Sequence, residues 1–312
     1  MEHFSPDLNQ RAGALCNHIA SRCTELGVLM HQLPCGTRLF DFSAGGIQAG
    51  EFLARVCLAD LAAVKILEQS PWPQLQVSTQ HPVAACMASQ YAGWEIKGQK
   101  YFAMGSGPMR AAAGREALYD DIGYRETSDQ CIGVLETSDQ PPEEVCQDIA
   151  TKCGINPSQL TLLFAPANST PGNMQVVARS VETSLHKLHE LGFDLLRVAH
   201  GIGRAPIPPV ANDTLAAIGR TNDAILYGGQ VTLTVYGDDQ SLQDLGPQLP
   251  SSASTEYGRP FAEILNSYNN DFYQVDPLLF SAAKITLQNL DTGNEFCFGK
   301  LNDEILAQSF SS

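Results

Sequence analysis

The chain has 312 residues, 44% of them hydrophobic and 17% charged, which is enough to bury a large core and fits two domains or subdomains. Its 34 acidic and 19 basic residues give a formal charge of −15, which excludes the basic, counterion-releasing surface of a nucleic-acid-binding protein and favours solubility or a cationic ligand. No apolar run approaches the roughly 18 residues of a membrane span, because Asp60 and Lys65 interrupt the best stretch around Leu53 to Leu67, and the opening Met1-Glu-His-Phe-Ser-Pro6 lacks the basic-then-apolar pattern of a signal peptide.

In chain order, Ser5-Pro-Asp7 leads into a capped helix from Leu8 to about Cys23. Two short strands lie between Val28 and Phe42, around Pro34-Cys-Gly-Thr37. The run Phe42-Ser-Ala-Gly-Gly-Ile-Gln-Ala-Gly50 precedes a helix predicted over Glu51 to Leu67. Gly45 and Gly46 at that helix start would let backbone N–H groups approach an anion, although a tight turn without a ligand also uses a glycine pair. Leu75, Val77 and Thr79 alternate as a strand, His81-Pro-Val-Ala-Ala-Cys86 opens a short helix, and Trp94-Glu-Ile-Lys-Gly98 is another strand. Tyr101 to Arg110 reads as a loop before a helix-prone Ala111 to Leu118. Within it Gly105-Ser106-Gly107-Pro108 has the same anion-cradling logic, without the Lys and Ser or Thr of a P-loop.

Strands at Cys131–Glu136 and Thr161–Phe164 flank a helix from Pro142 to Cys153, started by Pro141-Pro142 and ended by Gly154. A loop from Ala165 then runs into a helix that stops at Gly192. On it Val177, Val181, Leu185 and Leu188 form a core face. Gln175, Arg179, Glu182, His186 and His189 share one polar stripe. The stripe fits a solvated face with a Glu182–His186 pair, or one wall of a cleft. Asp194 to Ala199 should be a strand feeding a rigid loop from His200 to Pro209. In Gly219-Arg-Thr-Asn-Asp-Ala-Ile-Leu-Tyr-Gly-Gly229, four polar side chains precede an apolar run, as a capping cluster or a ligand-contacting loop. Gln230 to Tyr236 alternates as a strand, Asp238 to Tyr257 reads as a long surface loop, Gly258 to Asn270 as a helix, Pro277 to Asn289 as partly extended, and the tail after Phe298 as peripheral. Helices alternating with short, partly antiparallel strands favour α+β over a doubly wound parallel sheet.

Nine cysteines, odd in number and without a CxxC pair, predict reduced thiols in a cytoplasmic protein. Cys16 with Cys23 and Cys146 with Cys153 are seven apart and fit small core residues on helices. The seven histidines include no HExxH, and His186 with His189 has no third ligand at a diagnostic spacing, so no metal site is predicted.

The runs Val176 to Asp194, Ala205-Pro-Ile-Pro-Pro-Val210 and Gly219 to Gly229, with Gly45-Gly-Ile-Gln-Ala-Gly50, Ala92-Gly-Trp94 and Gly105-Ser-Gly-Pro108, closely resemble the methenyltetrahydromethanopterin cyclohydrolases. The resemblance extends from about Val28 to Tyr236 and departs from the family at Ala165-Pro-Ala-Asn-Ser-Thr-Pro-Gly172, where a run richer in Ser and Thr is expected. It implies two α+β domains, divided here as 1–165 and 166–312, with a pterin in the cleft between them. It also implies a cytoplasmic enzyme of one-carbon metabolism, often a homotrimer, that needs no metal or redox cofactor. The implied reaction interconverts the cationic 5,10-methenyl pterin plus water with the 5-formyl pterin, in a pathway of formaldehyde oxidation or of the methanogenesis type.

Positions matching the family's motif imply Glu182 as the base that deprotonates water. Arg179 is its partner, holding the carboxylate ionised and orienting the water, or else it binds the pterin or its tail. For the substrate, Gly45, Gly46, Gly105, Ser106, Gly107 and Pro108 would bring backbone close, and Asn222 and Asp223 would shape the far wall. Two other classes stay open on the residues alone: a pterin- or anion-binding protein without turnover, and a phosphate-handling transferase built on the glycine loops.

Overall fold

The structure is a computed structural model in which residues 6–311 are described. The expectations placed on Met1 to Ser5 lie outside the described residues. Two compact units form: one holds the described residues up to Ala62 together with Ala84–Gln175, the other Ala63–Val83 together with the chain from Val176 onward. Each carries a six-stranded sheet and helices, which is the mixed α+β composition expected. The expected division at 165/166 differs from these units by the excursion at 63–83 and by the ten residues before Val176. Excursions of this kind leave no mark in composition, because the segment that makes this one is ordinary strand sequence.

The first unit opens with α1 (Leu8–Ala20), capped by Asp7, whose side chain accepts the Gln10 N–H. A single turn, α2 (Cys23–Leu26), leads into the hairpin of β1 (Leu29–Gln32) and β2 (Arg38–Asp41), and then α3 (Ile47–Cys57) follows. The helix predicted to run to Leu67 stops ten residues earlier, because Ala59 and Asp60 take φ values of 53°. Arg11 donates to both their carbonyls and Arg55 pairs with the Asp60 carboxylate at 2.8 Å, so the turn is tied down from two helices. The apolar run after it becomes β3 (Ala62–Leu67), which with β4 (Gln74–Thr79) enters the other unit's sheet.

After a π-helical segment, Val83–Gln90, come β5 (Trp94–Lys97), β6 (Phe102–Ser106), the short helices α4 (Met109–Ala113) and α5 (Leu118–Asp121), and β7 (Cys131–Glu136). Next are α6 (Glu143–Cys153), β8 (Leu160–Ala165) and α7 (Thr170–Val177). Strand β6 and the start of α4 replace most of the loop predicted from Tyr101 to Arg110. The strand order is β1-β2-β8-β7-β6-β5, parallel across β2-β8-β7 and antiparallel elsewhere. Alternate residues of β7 and β8 are apolar on both faces. Ile132, Val134 and Leu163 pack with α1 and α3, while Cys131, Leu135, Leu162 and Phe164 pack with Val145 and Ile149 of α6.

The second unit continues with α8 (Ser180–Glu190), β9 (Val198–Pro206), α9 (Thr214–Leu226), β10 (Gln230–Val235), α10 (Asp239–Leu245), α11 (Phe261–Ser267), β11 (Lys284–Asn289), β12 (Glu295–Gly299) and α12 (Asp303–Ser311). Its order is β12-β11-β10-β9-β4-β3. Three expectations are corrected here. His200 to Pro206 is a central strand, antiparallel to both β10 and β4, where a loop was predicted. The polar Gly219–Asp223 stretch lies inside α9, a helix begun by Asp213 accepting the Ala216 N–H. The surface loop from Asp238 contains α10 and two short turns that bury Leu242 and Leu249. Strands β10 and β11 alternate, with Val231, Leu233, Ile285 and Leu287 buried and the residues between them in partial or full contact with solvent.

Candidate functional site

The polar stripe read from the sequence belongs to two helices, because the helix is interrupted between Val177 and Ser180. Arg179 sits at that break with φ −87° and ψ 6°, as the residue flanking α8, and Glu182 lies in the first turn. The apolar face is as expected: Val177, Val181, Leu185 and Leu188 are all fully buried. The helix ends at Glu190, and Gly192 adopts φ 76°.

The solvated-face reading fails at the start of this helix. Arg179 is 8% exposed and Glu182 4%, and a guanidinium nitrogen lies 3.8 Å from a carboxylate oxygen across one helical turn. A charged pair at this depth forgoes hydration, so it requires a positioned partner. Further along, His186 pairs with Glu190 at 3.6 Å, and desolvation holds its imidazole below the usual range. Gln175, at the end of α7, is also buried and donates to Glu136 at 3.3 Å.

The remaining candidate positions have visible packing duties. Gly45 closes a turn onto the Phe42 carbonyl at 2.9 Å, and a Cβ there would lie 2.6 Å from Ala49. Gly46 is different. It precedes the first turn of α3, is exposed, and has open space where a Cβ would stand. Gly105 is a residue of β6 whose Cβ would meet Ile96 at 2.6 Å. The buried Ser106 hydroxyl lies 3.3 Å from both the Cys57 thiol and the Val134 carbonyl. Gly107 has φ 89° and donates to Ser89 O, and the Pro108 carbonyl accepts from the buried Asn9 amide. The Gly105–Pro108 run is thus tied into the first unit's interior.

In α9, Asn222 is half-buried and donates to Ile218 O at 2.8 Å. Asp223 is fully buried. One carboxylate oxygen accepts the Phe261 N–H at 2.8 Å, fixing the start of α11, and Ser309 of α12 hydrogen-bonds the carboxyl. Desolvation first, against those hydrogen bonds, pushes its pKa up to about 7. The departing loop Ala165–Gly172 is braced by Ser169, which donates to Pro166 O at 2.8 Å and accepts the Gly172 N–H at 3.1 Å.

The sequence reading missed two features beside the Arg179–Glu182 pair. Lys187, 1% exposed, donates its ammonium to Leu278 O, and burial lowers its pKa to about 8 against the pull of Asp276. Gly201 and Gly203 of β9 lie directly under α8, although the sequence showed them only as loop punctuation. All nine cysteines are free thiols, and no group of three or more His, Cys, Asp or Glu among the described residues is placed to hold a metal ion. None of the described helices is long and apolar enough to cross a membrane.

Residues 7–310 match the family described as cyclohydrolase (MCH). A methenyltetrahydromethanopterin cyclohydrolase from Methylobacillus flagellatus is 43% identical over 312 aligned positions, covering 98% of this chain and 95% of that protein. Proteins of the same name from Rhodopirellula baltica and Methanospirillum hungatei are 42% and 38% identical, with 99% and 97% of this chain and 99% and 98% of theirs covered. Similarity of this extent, reaching both ends of the described chain, makes the protein a member of the cyclohydrolase (MCH) family.

Proposed function

We propose that this chain interconverts 5,10-methenyltetrahydromethanopterin plus water with 5-formyltetrahydromethanopterin, with Glu182 as the proton-transferring group and Arg179 as its electrostatic partner. Family membership and full-length similarity to proteins named for this reaction support the activity. The residue assignment is carried by one observation, the buried Arg179–Glu182 pair at 3.8 Å.

The methenyl carbon lies between two nitrogens in an amidinium cation and is already electrophilic. Water attacks it as Glu182 takes a proton from the water, and the electron pair of the carbon–nitrogen double bond neutralises the cation. The resulting tetrahedral adduct then loses one carbon–nitrogen bond. Its leaving nitrogen takes the proton held by Glu182, the adduct hydroxyl releases its own, and the carbonyl of the formyl group remains on the other nitrogen. The net change is one water consumed and one proton released. Arg179 places a positive charge beside the carboxylate throughout, which favours the ionised base needed at the start of each turnover.

The reading extends to a cytoplasmic homotrimer that works without a metal or redox cofactor, with the pterin between its two domains, in formaldehyde oxidation or a methanogenesis-type pathway. That extension rests on the resemblance. Among the candidate substrate contacts, Gly46 is the glycine with open space beside its backbone, at the start of an 11-residue helix. Gly45, Gly105, Ser106, Gly107, Pro108, Asn222 and Asp223 stay in the proposal as shape-determining neighbours, each already engaged in packing or hydrogen bonding.

The test follows loss of the methenyl chromophore. Glu182→Gln keeps the side chain's shape and removes its basicity, so turnover should fall by about 100-fold or more with little change in saturation. Arg179→Ala should lower turnover and weaken binding together. Near-normal turnover by a folded Glu182→Gln protein would move the base elsewhere.

A further inference from the structure

Strand β9 contains a glycine at two successive inward positions, Gly201 and Gly203, in the middle of a sheet where glycine costs about 0.5–1 kcal/mol relative to alanine. Neither has the positive φ that would require glycine. Their reason is what stands over them. A Cβ on Gly201 would lie 2.7 Å from Cγ1 of Val181, and one on Gly203 would lie 2.8 Å from Cγ2 of the same valine, with the Ser180 hydroxyl closer still. Real side chains do not approach so closely, so the bare backbone of β9 is the seat on which the first turn of α8 rests.

That turn is the one bearing the buried pair. Ser180 and Val181 lie between Arg179 and Glu182 in sequence, and any displacement of the first two off the strand carries the other two with it. The Ser180 hydroxyl is fully buried and hydrogen-bonds nothing, so its place beside Gly203 is set by packing rather than by a partner. Elsewhere α8 is anchored by larger contacts: Leu185 and Leu188 in the core and the Lys187 ammonium on Leu278 O. These hold the body of the helix and leave the height of its first turn to the glycines.

We infer that Gly201 and Gly203 are positioning residues for the reaction, setting the height and rotation of the first turn of α8 so that Glu182 and Arg179 meet the substrate. The inference rests on the assignment of Glu182 as base. It deepens that assignment by naming what holds the base in place, and it accounts for the Gly-Ile-Gly motif that the sequence offered without a role.

The experiment loads the seat from each side. Gly203→Ala should lower kcat by about 10- to 100-fold, the scale of an ångström misplacement, while KM changes by less than about 3-fold. Ser180→Ala removes only an unpartnered hydroxyl and should leave kcat within about 3-fold. Combined with Gly203→Ala, it should recover a substantial part of the lost kcat. Ser180→Thr adds one methyl from the helix side and should lower kcat without touching β9, which keeps the proposal testable if Gly203→Ala does not fold. Thermal unfolding of each variant separates misplacement from loss of structure, because a purely structural role would shift the melting temperature and leave kcat of the folded protein unchanged. Normal kcat in folded Gly203→Ala or Ser180→Thr, or no recovery in the double variant, overturns the inference. Glu182→Gln is measured beside them. If it alone proves active while the seat variants lose kcat with recovery, the base assignment fails and the seat stands, serving another group on the same turn.

Discussion

The two sheets have the same number of strands and opposite cover. In the first unit every residue of β8, Leu160 to Ala165, is buried, because helices lie on both faces. In the second unit β10 alternates between buried and half-buried from Gln230 to Val235, because its helices cover one face. The sequences carry this difference directly: Leu-Thr-Leu-Leu-Phe-Ala is nearly continuous in apolar character, whereas Gln-Val-Thr-Leu-Thr-Val has a period of two. The contrast decides how polar residues should be weighed. Thr232 and Gln76 on an uncovered face need no explanation, whereas Arg179 and Glu182 under cover do.

The largest expected effects test the cover itself. Leu162→Ala and Leu163→Ala point to opposite faces of β8, so each should cost about 2–5 kcal/mol in chemical denaturation. On β10, Leu233→Ala should cost the same and its neighbour Thr232→Ala within about 0.5 kcal/mol. Hydrogen exchange assigns each loss to its own unit. A mild Leu162→Ala would mean that one face of the first sheet is uncovered after all.

Next is the buried carboxyl of α9. Asp223 has its pKa raised to about 7, so the folded state holds a proton that the unfolded chain releases near its ordinary value of 3.8. The contribution of Asp223 to stability therefore falls as pH rises from about 4 to about 7 and is level above that. Asp223→Asn removes this slope and should be the more stable protein at pH 8, by up to about 4 kcal/mol, provided the Phe261 N–H keeps its acceptor. Glu126, whose pKa burial also raises to about 7, contributes equally to both proteins and drops out of their difference. Melting curves at pH 4 to 9 check it, and parallel profiles for the two proteins would show that Asp223 is ionised throughout.

These cases mark what the sequence made legible. The apolar face of α8 was readable because period and burial agree at Val181, Leu185 and Leu188, and α6 because Pro142 and Gly154 bracket it. Strand β9 was not readable. Gly201 and Gly203 look like loop punctuation, and they are glycines because a helix from another part of the chain lies on them. The polar run in α9 read as a capping cluster or a ligand-contacting loop because nothing local shows that Thr221 bonds to Ala217 O or that Asp223 receives the N–H of Phe261, 38 residues away. At β3 the apolar run suits a helix or a strand, and the turn at Ala59-Asp60 decides between them.

Gly107 gives a smaller and sharper test of whether covered glycines serve packing or ligand. With φ 89° and the Val134 nitrogen 3.3 Å from the position of a Cβ, Gly107→Ala should cost about 1–2 kcal/mol through strain. KM of the folded protein should stay within about 2-fold. A raised KM at unchanged melting temperature would return the loop to the substrate.

The smallest effect belongs on the uncovered face. Ile202 is 46% exposed on β9, paired in register with Ser78 on one side and Thr232 on the other, so its side chain stands among small polar neighbours. Replacing it by threonine removes little packing from within this chain, and Ile202→Thr should change stability by no more than about 0.5 kcal/mol. It should do so equally at every protein concentration. The homotrimer proposed above gives that expectation its edge, because a face buried between copies would make the residue's contribution depend on assembly. A loss above about 1 kcal/mol that shrinks on dilution, as both proteins come apart into single chains, would show that another copy covers this face. The contrast between the two sheets would then describe only the isolated chain, and the second sheet would be covered on both sides like the first, one layer of its cover coming from a neighbour.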